Sequence, residues 1–503
     1  MKILKSQNVL VLGLGVSGLA MARWCARLGA NVTVVDTRPI PPQLEALNND
    51  VPSAHFIHSA FSASLIDGNT FNLLLVSPGI KPEALESILS LAKEQGVDVG
   101  SELTLFSNAL TSLKESQAYA PCVLAITGTN GKTTVTALTG KLIECAGKTV
   151  AVAGNIGPSL LDTLSHKLDT QGLPQVWVLE LSSFQLNEAS QFEPTAGALL
   201  NITQDHLDWH GTMQAYARAK SFVFGSRGTM VLNREDSAVM EMLRPAFNAN
   251  KTRKFVTFGG DMPLRAGDYG LELINGMAWL VRAIKADETK TKRRGVDTQV
   301  DEEIFIQRLM PSEALRIRGR HNAINALVAL ALANVAGCSL APMLYGLREY
   351  QGEPHRVESI GIIKGVEYFD DSKGTNVGAT AAALTGLGVD RKVVVILGGE
   401  SKGQNFSPLV SPVSQFARAV VLIGKDKLMI ADALYDVVVP VLTADTMVDA
   451  VIKATEHARA GDVVLMSPAC ASFDMFENYE HRAQVFCAAV KQIALEAGES
   501  IAS

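Results

Sequence analysis

Ala125-Ile126-Thr127-Gly128-Thr129-Asn130-Gly131-Lys132-Thr133-Thr134 is the stretch whose reading decides the fold. It follows an apolar run, Cys122 to Ile126, that reads as a buried parallel strand. It precedes residues 135–143, whose apolar spacing suits a helix. A strand, a glycine loop and then Lys-Thr at a helix start form a physical recipe for holding a polyphosphate. Gly128 and Gly131 let backbone N–H groups face an anion, the helix N-terminus adds partial positive charge, and Lys132 supplies a full one. Thr133 is placed to offer its hydroxyl to Mg2+. The strict phosphate-loop pattern asks for a further glycine where Ile126 stands, so this loop is a shortened relative. An ordinary glycine turn capping a helix is the structural alternative; the strand–loop–helix context favours ATP.

Upstream lies a second glycine loop. Asn8 to Leu12 reads as a strand, Gly13-Leu14-Gly15-Val16-Ser17-Gly18 as a tight turn into a helix, and Asn31 to Val35 as a strand ending in Asp36. This is a full dinucleotide-type βαβ fingerprint. On its own it predicts NAD or FAD, with a purely structural turn as one alternative and another diphosphate-linked ligand as a third. The backbone of such a loop reads pyrophosphate and not nicotinamide. Phe71 to Val76 reads as another buried strand, and Ser77-Pro78-Gly79 follows at its carboxyl end, where open α/β sheets bind ligands. Polar, weakly patterned residues 107–121 read as the linker out of this unit.

The bulk properties suit this picture. A chain of 503 residues calls for about three domains, and 47% hydrophobic with 19% charged residues allows sizeable cores. A net charge of −6 leaves no footprint for nucleic acid. The six cysteines carry no C-x-x-C pair or metal spacing, which suits a reducing compartment. No signal-peptide anatomy and no apolar run of membrane-spanning length stand out. The expectation is a cytoplasmic protein without a membrane span.

The fold class expected is α/β in three domains: an N-terminal Rossmann-like unit (1–115), a central P-loop-type mononucleotide-binding unit (116–352) and a C-terminal Rossmann-like unit (353–503). In the central unit, apolar runs at 149–153, 175–181, 196–202 and 229–232 read as strands. Residues 271–281 alternate around Asn275-Gly276 as a β-hairpin. The charged stretch 286–303 reads as a solvated insertion. Polar clusters follow several strands. Glu180 closes one in the ATP unit and suits Mg2+, with a capped strand end as the alternative. Asp205-His206-Leu207-Asp208-Trp209-His210 follows another and suits a hard cation or substrate better than zinc. Lys220 reads as a lysine on a solvated helix face. In the third unit, Asp370 to Asn376, Gly399 to Lys402 and Ser467 to Phe473 repeat the strand-end pattern, and His355-Arg356 stands at the entrance to the unit.

Taken together, these motifs resemble the Mur ligases. The matching stretches are Thr127 to Thr134, Gly154 to Gly157, Glu180 to Leu186, Asp205 to Asp208, His321 to Asn325, His355 to Glu358 and Asp371 to Asn376. Asp36-Thr37-Arg38, Ser77 to Gly79 and Ser467 to Ser472 point to the branch that adds D-glutamate. The resemblance spans nearly the whole chain outside 286–303. It implies that the first unit binds a UDP moiety, which replaces the NAD reading.

It further implies ATP-dependent amide formation through an acyl phosphate. The substrates would be UDP-N-acetylmuramoyl-L-alanine, D-glutamate and ATP, with Mg2+ as cofactor, in peptidoglycan precursor synthesis by a monomer. The alternatives to this reading are another Mur ligase, a folylpolyglutamate synthetase-like ligase, or a non-enzymatic nucleotide-binding module. By the resemblance, Lys132, Glu180, His206 and Lys220 are catalytic. Gly128, Thr129, Asn130, Gly131, Lys132, Thr133, Thr134, Asn322, Asn325, Arg356 and Asp371 hold ATP. Gly15, Ser17, Asp36, Thr37, Arg38, Ser77, Pro78, Gly79, Asn155, Ser182 and His206 hold the UDP-substrate. Lys373, Thr375, Lys402, Ser472 and Phe473 hold D-glutamate. The metal set is Thr133, Glu180, His206 and, once carbamylated, Lys220. Phe473 and Tyr479 depart from the residues expected at those positions.

Overall fold

The computed structural model describes residues 4–499 except 69, 188, 190, 244–252, 287–302 and 390. Most of the charged stretch 286–303 therefore lies outside the described residues. Three sheets organise the chain. The first is wholly parallel and runs His55–His58, Asn31–Asp36, Asn8–Leu12, Leu73–Val76, Asp98–Gly100. Strand order reverses between Asn8–Leu12 and Leu73–Val76, so the Gly13–Gly18 turn and Ser77–Gly79 emerge side by side at a topological switch point.

The central sheet has nine strands. Seven neighbours run parallel: Tyr269–Ile274, Phe255–Phe258, Thr229–Asn233, Ala196–Leu199, Cys122–Thr127, Val176–Glu180 and Val150–Gly154, in that spatial order. Tyr269–Ile274, Met277–Lys285 and Ile304–Pro311 extend one edge as an antiparallel meander. The expected hairpin is there, with Asn275 (φ 50°) and Gly276 (φ 82°) making its two-residue turn. Cys122–Thr127 lies between Val176–Glu180 and Ala196–Leu199, so three strand ends converge on the phosphate loop. Val176–Glu180 is buried throughout, as a parallel strand covered on both faces should be. Helices Lys132–Cys145 and Arg320–Val335 pack against each other on one face of this sheet.

The third sheet runs Glu358–Ile363, Val366–Asp370, Val463–Met466, Val393–Gly398, Ala417–Ile423, Val441–Thr443, with only the first strand antiparallel. The six cysteines are all free. Among the described residues, no helix is long and apolar enough to cross a membrane.

Two expectations need correction. Residues 107–117 are not a linker but the body of a helix, Glu102–Gln117. Ser101 caps it by accepting from Thr104 N at 3.3 Å, and Leu103, Phe106, Ala109 and Leu113 bury one stripe. Its exposed Ser, Asn, Thr and Gln residues mask that spacing in the sequence. Phe106 packs edge-on to Trp177 of the central sheet at 5.1 Å, so this helix binds the first sheet to the second. The second correction is Lys220. It lies on helix Met213–Ser221 but is only 1% exposed, because the phosphate loop covers it.

Candidate active site

The phosphate loop is built for close approach. Gly131 has φ 84°, and a Cβ there would meet Asn325 Oδ1 at 2.9 Å. The segment after Ala196–Leu199 clamps the loop: Thr129 N donates to Asn201 O (3.0 Å) and Asn130 N to Asn201 Oδ1 (2.8 Å). Lys132 folds back over its own turn and donates to Gly128 O (2.9 Å) and Thr129 O (2.8 Å). From the far side Lys220 Nζ donates to the same Gly128 O at 2.8 Å, with Tyr216 beneath it at 4.7 Å. Two amines therefore share one carbonyl. Burial, reinforced by Lys132, pushes Lys220 well below the ordinary ammonium value. Lys132 is also lowered, mainly by burial.

Glu180 ends the adjacent strand, 1% exposed. Its Oε1 accepts from Asn155 Nδ2 at 3.1 Å, and its buried Oε2 has no partner. A carboxylate oxygen kept dry without a hydrogen-bond donor is the kind of acceptor a cation satisfies. His206 adopts φ 52° after Asp205 and packs against Phe184 at 4.7 Å. Partial burial beside Lys132 and Lys220 holds its pKa below the usual imidazole value. His210 instead hydrogen-bonds Ser183 Oγ at 2.9 Å and stacks on Phe184, and burial lowers it to about 4. Ser182 uses its hydroxyl locally, in a capping box with Gln185.

The third unit reaches into this loop. Arg356 Nη2 donates to Thr133 Oγ1 at 2.6 Å, and its buried Nε has no partner. Asn376 Nδ2 donates to Asn130 Oδ1 at 3.0 Å. Asn322 and Asn325 form a pair on helix Arg320–Val335 (3.1 Å) beside Gly131. Asp371 is buried, accepts from Ser467 Oγ at 2.6 Å, and is raised to about 7 by that burial. A cleft of about 250 Å3 lies between Gln204 to Asp208 of the central unit and Thr375, Lys402 and Gly403 of the third. Lys373 stands over the Tyr479 ring at 5.0 Å and Lys402 over Phe473 at 5.6 Å. Ser472 is buried, while Phe473 is 65% exposed at the rim.

At the first sheet, Asp36 Oδ2 accepts from Leu14 N (2.7 Å), and Arg38 closes a fork on the same carboxylate. Arg38 and these backbone donors outweigh burial and hold Asp36 near pKa 2. Gly18 is obligatory, since a Cβ there would meet Gly13 O at 1.9 Å. Trp209 Nε1 donates to Ile80 O (3.1 Å) and Lys81 Nζ to Asp208 O (3.1 Å), which brings Ser77–Gly79 to the mouth of the central cleft.

Lys220, Arg356 and Asn376 thus meet the phosphate loop directly, His206, Thr375 and Lys402 line the neighbouring cleft, and Asp36 and Arg38 stand apart at the first sheet. Sequence reasoning passed over Glu102 and Arg482, buried charged residues that hydrogen-bond backbone next to these loops.

The comparisons agree along the chain. Residues 7–101 match the model "Mur ligase MurD-like, N-terminal domain", 126–333 the "Mur ligase middle domain", and 355–470 the "Mur ligase, glutamate ligase domain". A relative from Albidiferax ferrireducens named UDP-N-acetylmuramoylalanine--D-glutamate ligase is 61% identical over 502 residues, covering 99% of this chain and 98% of its own. A relative of the same name from Burkholderia thailandensis is 54% identical, covering 98% of each. Among solved structures, the MurF ligase from Thermotoga maritima in complex with ADP shares the fold with a TM-score of 0.57 at 15% identity, covering 97% of this chain and 96% of its own. With its three units matched in order to the family's three domain models and a full-length relative 61% identical, the chain belongs to the Mur ligase family.

Proposed function

We propose that this protein joins D-glutamate to UDP-N-acetylmuramoyl-L-alanine, consuming ATP and releasing ADP and phosphate, as a cytoplasmic monomer in peptidoglycan precursor synthesis. The observation that carries the reading is the meeting of the phosphate loop, Glu180, Lys220 and Arg356 at one cleft, in a chain 61% identical to a relative of that name. The domains of this proposal are 1–115, 116–352 and 353–503.

In this reading Gly15, Ser17, Asp36 to Arg38 and Ser77 to Gly79 hold the UDP end, with Asn155, Ser182 and His206 further along the substrate. The terminal L-alanine carboxylate attacks the γ-phosphorus of ATP; the bond to the β–γ bridging oxygen breaks and an acyl phosphate forms. The D-glutamate amine then attacks the acyl carbon, loses a proton, and displaces phosphate. Residues 128–134 with Asn322, Asn325, Arg356 and Asp371 orient ATP, and the half-buried Lys132 ammonium exchanges its two carbonyl partners for phosphate oxygens. Lys373, Thr375, Lys402, Ser472 and Phe473 take the amino acid.

The unpartnered Glu180 Oε2, the Thr133 hydroxyl and His206 suit a hard cation, and Lys220 joins them once carbamylated. Burial disfavours the charged form of Lys220, and an uncharged amine is the form that adds to CO2, losing a proton to leave a carbamate whose oxygens stand where the amine stood. Mg2+, when bound, neutralises charge on the transferring phosphoryl group. Phosphate release should require both UDP-N-acetylmuramoyl-L-alanine and D-glutamate. Release that persists without either substrate refutes the reading.

A further inference from the structure

The third unit contains a buried cation that none of the roles above uses. Arg482, on helix Tyr479–Glu496, is 1% exposed. Its hydrogen bonds go to neutral acceptors: Nε to Ser372 Oγ (3.0 Å), Nη2 to Ser372 O (2.8 Å) and Nη1 to Cys470 O (3.1 Å). Burial lowers its pKa to about 10, which leaves it charged at neutral pH. A dry guanidinium is costly, and what distinguishes it from other side chains is a rigid planar fork of donors.

The acceptors lie on two loops that follow different strands, Val366–Asp370 and Val463–Met466. Ser372 immediately precedes Lys373, and Cys470 lies two residues before Ser472. A third loop is tied to the second by paired backbone bonds between Glu400 and Ala471, both 3.0 Å, and it carries Lys402. These loops are strained: Ala469 has φ 59° and Lys402 φ 50°, conformations that side-chain-bearing residues keep only when their surroundings enforce them. Ser372 Oγ in turn donates to Tyr479 O at 2.7 Å, which closes the brace onto the helix that bears Arg482.

We propose that Arg482 is a positioning residue for the amino-acid pocket, its fork locking the Ser372 loop to the Cys470 loop so that Lys373, Ser472 and Lys402 are presented together to an anionic amino acid. The proposal rests on the assignment of that pocket to D-glutamate. Arg482→Lys keeps the charge and loses the fork, and Ser372→Ala removes one acceptor while leaving the cation two.

Steady-state kinetics and hydroxylamine trapping of acyl phosphate without amino acid would be measured for wild type and both variants. KM for D-glutamate should rise about tenfold or more in Arg482→Lys and by a smaller factor in Ser372→Ala. KM for UDP-N-acetylmuramoyl-L-alanine and the trapped acyl phosphate should stay within about twofold. An unmoved KM for D-glutamate in Arg482→Lys overturns the proposal, as does a parallel loss of acyl phosphate formation. Should Arg482→Lys fail to fold, Ser372→Ala decides by the same criteria. A wild-type protein that does not couple D-glutamate at all refutes the functional assignment instead, so the two failures are distinct.

Discussion

Two glycines at opposite ends of one helix offer a matched test of the phosphate loop. Gly131 precedes helix Lys132–Cys145 and Gly147 follows it; both have left-handed backbones, with φ 84° and 80°. Alanine at either position carries a left-handed side chain at about 1 kcal/mol. A Cβ at Gly147 meets nothing within 4 Å, whereas one at Gly131 lies 2.9 Å from Asn325 Oδ1. Relieving that clash means turning the Asn325 amide, whose Nδ2 is bonded to the buried Asn322 (3.1 Å), at a further cost of about 1 kcal/mol. Gly147→Ala should therefore lower Tm by roughly 2–4 °C and Gly131→Ala by about twice that. Only Gly131→Ala should raise KM for ATP, by roughly 5- to 30-fold, because the bound loop must readopt the strained form. Scanning fluorimetry and initial rates at varied ATP read both effects. Equal Tm shifts with equal ATP affinities would refute the argument that Asn325 packs on the loop.

Three further outcomes follow from the site. Lys132→Ala should abolish acyl phosphate formation and leave UDP-substrate binding, measured by calorimetry, within about threefold, since the nucleotide-sugar handle lies on another sheet. Asp371, with its folded pKa raised to about 7, contributes stability that is full below the unfolded carboxylate value and lost as pH rises through about 7. The Tm difference between wild type and Asp371→Asn should therefore shift against wild type between about pH 4 and 7 and level off above that, and a pH-independent difference would contradict it. Arg356→Lys should lose most activity, because a lysine lacks the reach and fork that meet Thr133; near-normal kcat/KM would count against Arg356 as a phosphate contact.

Much of this molecule was readable in the sequence because its loops follow unambiguous strands. Both glycine loops, the hairpin at Asn275-Gly276 and the strand-end clusters stand where apolar runs stop. What escaped were features set by partners distant in sequence. Lys220 resembles any surface helix lysine until Gly128, 92 residues upstream, covers it. Helix Glu102–Gln117 hides its apolar stripe among polar residues, and its burial depends on Trp177 of the next sheet. Arg482 lies past the last recognisable loop, and only the folded third unit brings it to Ser372 and Cys470. The sequence likewise gives no sign that Glu180 keeps one oxygen dry and unpartnered.

The central claim is that this site activates a carboxylate with ATP and hands it to D-glutamate. Its most direct test is a panel of amino acids offered with ATP, Mg2+ and UDP-N-acetylmuramoyl-L-alanine, followed by phosphate release and mass detection of product. The account predicts coupling with D-glutamate far above L-glutamate, D-aspartate, L-lysine and L-alanine. Equal coupling across the panel, or none with D-glutamate, would contradict it.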